Sequence, residues 1–170
     1  MFRKGLLLLM VSVLGVGVFA GYALSSTQNH DLKITANGAK KLMVMTKTGA
    51  LTFTNTALGN LTADTITVPA NGTYRAVVRF SAESACSATS WCTAVISVDG
   101  VEANPKSGTD FAFDSPGGET WQGLTMDRTS DAIVGTGAPR LVTVSVDVAV
   151  IGGGSWRLDD WSVVTELFKA

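Results

Sequence analysis

The sequence predicts an all-β fold, a two-sheet antiparallel sandwich of the jelly-roll type with one disulfide. Three observations predict it. Beyond residue 41 the apolar residues recur with a period of two, and no window carries an amphipathic helical stripe. Turn signals built from Gly, Pro, Asn and Asp cut that region into eight to ten short segments, the spacing of a sandwich. Cys86 and Cys92 are the only two cysteines and lie six apart, which suits an oxidised pair in an exported domain. A closed barrel is the structural alternative.

The N-terminus sets the expected compartment. Arg3 and Lys4 precede an uncharged apolar run over residues 5–20, and the small residues Ala20 and Ala23 follow. This is the layout of a secretory signal peptide spanning residues 1–23, cleaved after Ala23 or Ala20. Residues 5–24 are also long enough for an uncleaved membrane anchor. Both readings place the domain outside the cytoplasm, secreted or at the cell surface. Residues 24–41 are polar and irregular and read as an N-terminal arm; residues 42–170 read as one sandwich domain.

The strands follow in order. Residues 42–46 and 50–54 are short candidates. Residues 62–68 carry Ile66 and Val68 in phase and lead into Pro69-Ala70-Asn71-Gly72, a turn in which proline presets φ and glycine accepts a positive one. Residues 73–83 alternate clearly: Tyr74, Ala76, Val78, Phe80 and Ala82 share a face, so the two segments read as a hairpin. Residues 93–98 place Ala94, Ile96 and Val98 together, and Asp99-Gly100 is the signal of a type I′ hairpin. A long connection over residues 104–118 has a short apolar centre at Phe111 and Phe113, and residues 121–128 form another candidate strand. Residues 141–151 carry Val142, Val144, Val146, Val148 and Val150 on one face and read as a central strand. Gly152-Gly153-Gly154 turns the chain into a last strand over residues 156–168. There Trp156 and Leu158 are out of phase with Trp161 and Val163, and a bulge near Asp159-Asp160 would bring all four to the core.

Charge excludes one partner class. Loss of residues 1–23 removes Arg3 and Lys4 and no acid, leaving 11 Lys+Arg against 14 Asp+Glu, scattered, with no basic footprint for nucleic acid. Catalytic constellations are also poorly supplied. His30, the single histidine, lies outside the predicted domain, so a Ser-His-Asp triad and a cysteine-histidine pair both lack their base. The spacing Cys-x5-Cys is not a zinc pattern. No glycine loop follows a strand and opens a helix. Carboxylates remain, namely Asp110, Asp114, Glu119, Asp127, Asp159 and Asp160, and a glycosidase needs two of them across one cleft.

Asp159-Asp160 stands out, because acids in a strand of tryptophan and valine need a partner. Three readings are open: a carboxylate capping the backbone N-H groups of a bulge, a calcium ion held by Asp159 and Asp160, or an ion pair of one of them with Arg157 or another basic residue. Among the four tryptophans, Trp156 and Trp161 read as core. Trp91, inside the cystine loop, and Trp121 read either as packing residues or as exposed rings that stack on a ligand. Asn60-Leu61-Thr62 and Asn71-Gly72-Thr73 match the glycosylation acceptor pattern.

The run Phe80-Ser81-Ala82-Glu83-Ser84-Ala85-Cys86, the stretch from Cys92 through Glu102-Ala103-Asn104-Pro105 to Ser107-Gly108-Thr109-Asp110-Phe111-Ala112-Phe113-Asp114-Ser115, and the ending Trp156-Arg157-Leu158-Asp159-Asp160-Trp161-Ser162-Val163 together resemble a family of exported bacterial β-sandwich proteins, a likeness that brings no function with it. The same ending is similar to the final strand of jelly-roll carbohydrate-binding and adhesion modules, a resemblance that implies a structural calcium at Asp159. Residues 67–80 are similar to central strands of the trimeric jelly rolls of the complement and tumour-necrosis type, which implies self-association. The chain lacks the aromatic platform of the carbohydrate-binding pattern. The function expected is a non-enzymatic exported binding or adhesion module that recognises a cell-surface glycan or an exported protein. Its contact surface would be built from Trp91, Asp110, Asp114 and Trp121. A self-associating structural subunit, a homo-oligomer, is the alternative, and a carboxylate-dependent glycan hydrolase or lyase comes third.

Overall fold

The computed structural model describes residues 32–36, 41–108, 111–117 and 120–170. The predicted signal segment, His30, most of the predicted arm, Asp110 and Glu119 lie outside these residues. Eleven strands run in chain order among the described residues: β1 (Leu32–Ala36), β2 (Lys41–Lys47), β3 (Leu51–Phe53), β4 (Gly59–Val68), β5 (Thr73–Cys86), β6 (Trp91–Val98), β7 (Val101–Glu102), β8 (Gln122–Thr129), β9 (Ile133–Val134), β10 (Arg140–Ile151) and β11 (Trp156–Lys169). They form two antiparallel sheets. A seven-stranded sheet has the order β1-β2-β11-β5-β8, with β3 beside β11 and β9 beside β5; a four-stranded sheet has the order β4-β10-β6-β7. Taken in chain order, the eight principal strands β2, β4, β5, β6, β7, β8, β10 and β11 pair first-eighth-third-sixth and second-seventh-fourth-fifth, the jelly-roll arrangement. Part of the segment read as an arm is strand β1, which adds to the edge of β2 with Leu32 opposite Thr46.

Alternation decides the core. Val142, Val144, Val146, Val148 and Val150 of β10 are all fully buried, against exposed Leu141 and Thr143 on the other face. Each contributes roughly 1.5 to 3 kcal/mol of burial. Tyr74, Ala76, Val78, Phe80 and Ala82 of β5 meet them from the opposite sheet, with Ala94, Ile96 and Val98 of β6 alongside β10. β10 sits between β4 and β6, as expected of a central strand.

One expected pairing is corrected. β4 and β5 are not a hairpin: β4 pairs with β10 and β5 with β11, β8 and β9, so Pro69-Ala70-Asn71-Gly72 is a corner between sheets. The turn chemistry reverses the chain, while the pairing goes to the strand whose valines complete the apolar face. The Asp99-Gly100 hairpin is present, with both residues at positive φ (57° and 76°) and Val98 opposite Val101.

The bulge in β11 lies where the tryptophan phase requires it. Asp159 faces Glu83 and Ser162 faces Ser81, so Asp160 and Trp161 together oppose Ala82, and Asp160 takes φ 42°. The extra residue moves Trp161 and Val163 to the side already held by Trp156 and Leu158, and all four are buried. The disulfide Cys86–Cys92, with Cα atoms 6.0 Å apart, joins the end of β5 in one sheet to the start of β6 in the other. Closing so short a loop contributes about 2 to 3 kcal/mol on the chain-entropy model.

Candidate functional site

The cystine end of the sandwich gathers the groups able to meet a ligand. At this end β10 stops, the three glycines 152–154 reverse the chain, and β11 begins beside the end of β5. All three glycines hold positive φ, at 87°, 92° and 107°. The loop they make is laced to residues 87–90: Thr89 N donates to the Gly153 carbonyl at 3.0 Å, Thr89 Oγ1 to the Gly152 carbonyl at 2.6 Å, and Ser90 N to the Ile151 carbonyl at 3.2 Å. Ser87 N donates to the Ser155 carbonyl at 2.9 Å, and the Ser87 and Ser155 hydroxyls lie 2.7 Å apart.

Arg157 follows. Because Trp156 and Leu158 point inward, Arg157 points out from the seven-stranded sheet, beside Ala85 on β5 and Thr52 on β3. Its guanidinium lies over the ring of Trp121, 4.8 Å from the centroid. Trp121 stands immediately before β8 and is 40% exposed. Ala85, Ser87, Ser155 and Arg157 line a shallow depression of about 140 Å³ between the strand ends. An apolar ring, a planar five-proton donor and two hydroxyls therefore share one small surface. Two residues along the same face, Asp159 stands opposite Glu83.

Beneath this surface the Trp156 indole N-H donates to Ser84 Oγ at 2.7 Å, and Ser84 Oγ donates to the carboxylate of Asp114. Asp114 is 5% exposed, and its backbone bridges Cys92: Cys92 N donates to the Asp114 carbonyl at 2.8 Å. Phe113 packs between Phe80 and Trp156, with centroids 5.1 and 5.8 Å away. Asp114 thus ties the long connection to the cystine from inside the fold.

The other residues singled out in the sequence fall as follows. Trp91 alternates with buried Cys92, so it faces out from the four-stranded sheet, half-buried and paired with Ile151. Trp91 and Trp121 therefore share an end of the molecule but not a face. Asp159 is half-buried, and its Oδ1 accepts the Asp160 N-H at 2.9 Å, capping the bulge. Asp160 is exposed, and Arg157 engages Trp121. Among the described residues no three His, Cys, Asp or Glu side chains come together as a metal cluster. Asp127 is held by Arg79 through two bonds of 2.8 and 3.2 Å on the outer face of the seven-stranded sheet. That hydrogen bond and the charge of Asp127 raise the Arg79 pKa above its ordinary value.

Sequence reasoning missed Arg157 as a surface group, together with Ser87 and Ser155. Its position between two inward residues marked Arg157 as outward; nothing local marked Trp121 as its neighbour. Arg128 was also missed. It turns inward over the Phe111 ring at 4.8 Å, and burial lowers its pKa, opposed by the nearby Glu102 and Asp127 carboxylates.

No family model matches the chain, and no curated protein matches it. Among the described residues no helix is long and apolar enough to cross a membrane.

Proposed function

We propose that this protein is an exported, non-enzymatic binding module that recognises carbohydrate at the surface formed by Trp121, Arg157, Ser87 and Ser155. The observation that carries the reading is the exposed Trp121 ring faced by the Arg157 guanidinium at 4.8 Å, at the rim of the serine-lined depression. Sugars present flat C-H faces bordered by hydroxyls. An indole supplies the stacking face, while a guanidinium and two serines supply the donors and acceptors that fix orientation. The serines are held by the loop lacing described above, so little ordering entropy is lost on binding. The basic-then-apolar N-terminal segment and a disulfide that persists in oxidising compartments support export.

The test is a glycan array followed by tryptophan-fluorescence titration of any saccharide retained. Trp121→Ala and Arg157→Ala should each abolish retention while thermal unfolding stays close to that of the parent. Binding that survives both substitutions, or no retention on a broad array, overturns the proposal.

A further inference from the structure

We infer that Asn71 is a site of spontaneous deamidation through a succinimide, and that the Tyr74 hydroxyl promotes it. The reactants are the side-chain amide of Asn71 and the backbone nitrogen of Gly72, with water as co-reactant. Both residues are exposed at the corner between β4 and β5, and neither the Asn71 side-chain amide nor the Gly72 N-H has a hydrogen-bond partner among the described residues. Gly72, at φ 104°, has no Cβ to obstruct approach to its nitrogen.

The other described asparagines lack these conditions. The Asn55 amide donates to the Ala57 and Val148 carbonyls at 2.7 Å each and precedes a β-branched residue. The Asn60 amide donates to the Thr62 carbonyl at 3.3 Å and to Asp147 at 3.0 Å. The Asn104 amide donates to Asp131 at 2.9 Å, and Pro105 after it has no N-H to lose.

Tyr74 supplies what the turn sequence alone does not. Its hydroxyl donates to the Asn71 carbonyl at 2.8 Å, the carbonyl of the peptide whose nitrogen must attack. Electron density drawn toward that oxygen makes the Gly72 N-H more acidic. Loss of that proton to solvent base gives the nucleophile, which forms a bond to Asn71 Cγ; Nδ2 takes a proton from water as its bond to Cγ breaks, and ammonia leaves. Water then opens the ring at one of its two carbonyls. Cleavage at Cγ gives aspartate; cleavage at the main-chain carbonyl gives isoaspartate, whose chain runs through Cβ. The longer chain displaces the corner from its clasp, in which Gly135 N and Gly137 N donate to the Gly72 and Ala70 carbonyls at 2.8 Å each.

The folded full chain is incubated at mildly alkaline pH in heavy-oxygen water and digested for peptide mapping. The expected result is heavy oxygen at residue 71, as aspartate and isoaspartate, with Asn55, Asn60 and Asn104 intact. Conversion rises with pH and is severalfold slower in Tyr74→Phe. Mapping separates this site from Asn37-Gly38, which lies outside the described residues. An Asn71 that stays intact in the folded chain while the denatured chain converts there overturns the assignment. An unchanged rate in a Tyr74→Phe protein that remains folded by circular dichroism overturns the role of Tyr74.

Discussion

Replacing each of Gly152, Gly153 and Gly154 by alanine separates two effects that usually arrive together. All three hold positive φ, so each alanine carries a left-handed backbone penalty of about 1 to 2 kcal/mol. The space around them differs. A Cβ on Gly153 meets nothing within 4 Å, so Gly153→Ala should cost only that penalty. A Cβ on Gly152 would overlap the Thr89 hydroxyl and stand 2.8 Å from Ser90 Oγ. Thr89 can rotate away but gives up its bond to the Gly152 carbonyl, which adds about 1 kcal/mol. A Cβ on Gly154 would stand 2.5 Å from the Ser87 carbonyl oxygen and 2.9 Å from Ala88 Cα, both backbone atoms. These cannot yield without opening the Ser87–Ser155 clasp, and the overlap adds about 1 to 3 kcal/mol. At roughly 3 °C per kcal/mol for a domain of this size, Gly153→Ala should lower Tm by about 3 to 6 °C and Gly154→Ala by about 6 to 15 °C. Gly152→Ala should fall between them. Thermal unfolding followed by far-ultraviolet circular dichroism reads the series, and urea titration gives the free energies. Equal losses at 153 and 154 would refute the account, since they would mean that φ alone sets the cost and that the loop is not pressed against residues 87–88.

Three further outcomes are expected. Ser84→Ala strands both the Trp156 indole N-H and the Asp114 carboxylate inside the fold, so urea unfolding should show a loss of about 2 to 5 kcal/mol, and a loss under 1 kcal/mol would contradict the relay. At the bulge, Asp160→Gly should be neutral to within about 0.5 kcal/mol, because relief of left-handed strain offsets added freedom in the unfolded chain, whereas Asp160→Val should cost about 1 to 2 kcal/mol; equal values for the two would remove the conformational argument. Removing the cystine by Cys86→Ala with Cys92→Ala should cost about 2 to 3 kcal/mol and leave the chain folded at room temperature, read by near-ultraviolet circular dichroism, because the covalent link adds to an apolar core rather than replacing one.

Much of this fold was legible from residue order alone. Side-chain direction in a strand alternates within two residues, so the inward set of β5 and β10 and the bulge that rephases Trp161 against Trp156 are local properties. The Asp99-Gly100 hairpin is local in the same sense, because the turn residues themselves demand positive φ. Strand partners are not local. β4 passes over its chain neighbour β5 and pairs with β10, Val68 opposite Arg140, because the choice is made by apolar area summed over whole strands distant in sequence. Residues brought together by that choice carry no mark in their own neighbourhoods: Ser84 with Asp114 and Trp156, Arg157 with Trp121, Ser87 with Ser155. Residue order therefore determined which way each side chain points, and the assembled sandwich alone decided what each one meets, because pairing energy accrues only after the chain has closed its long loops.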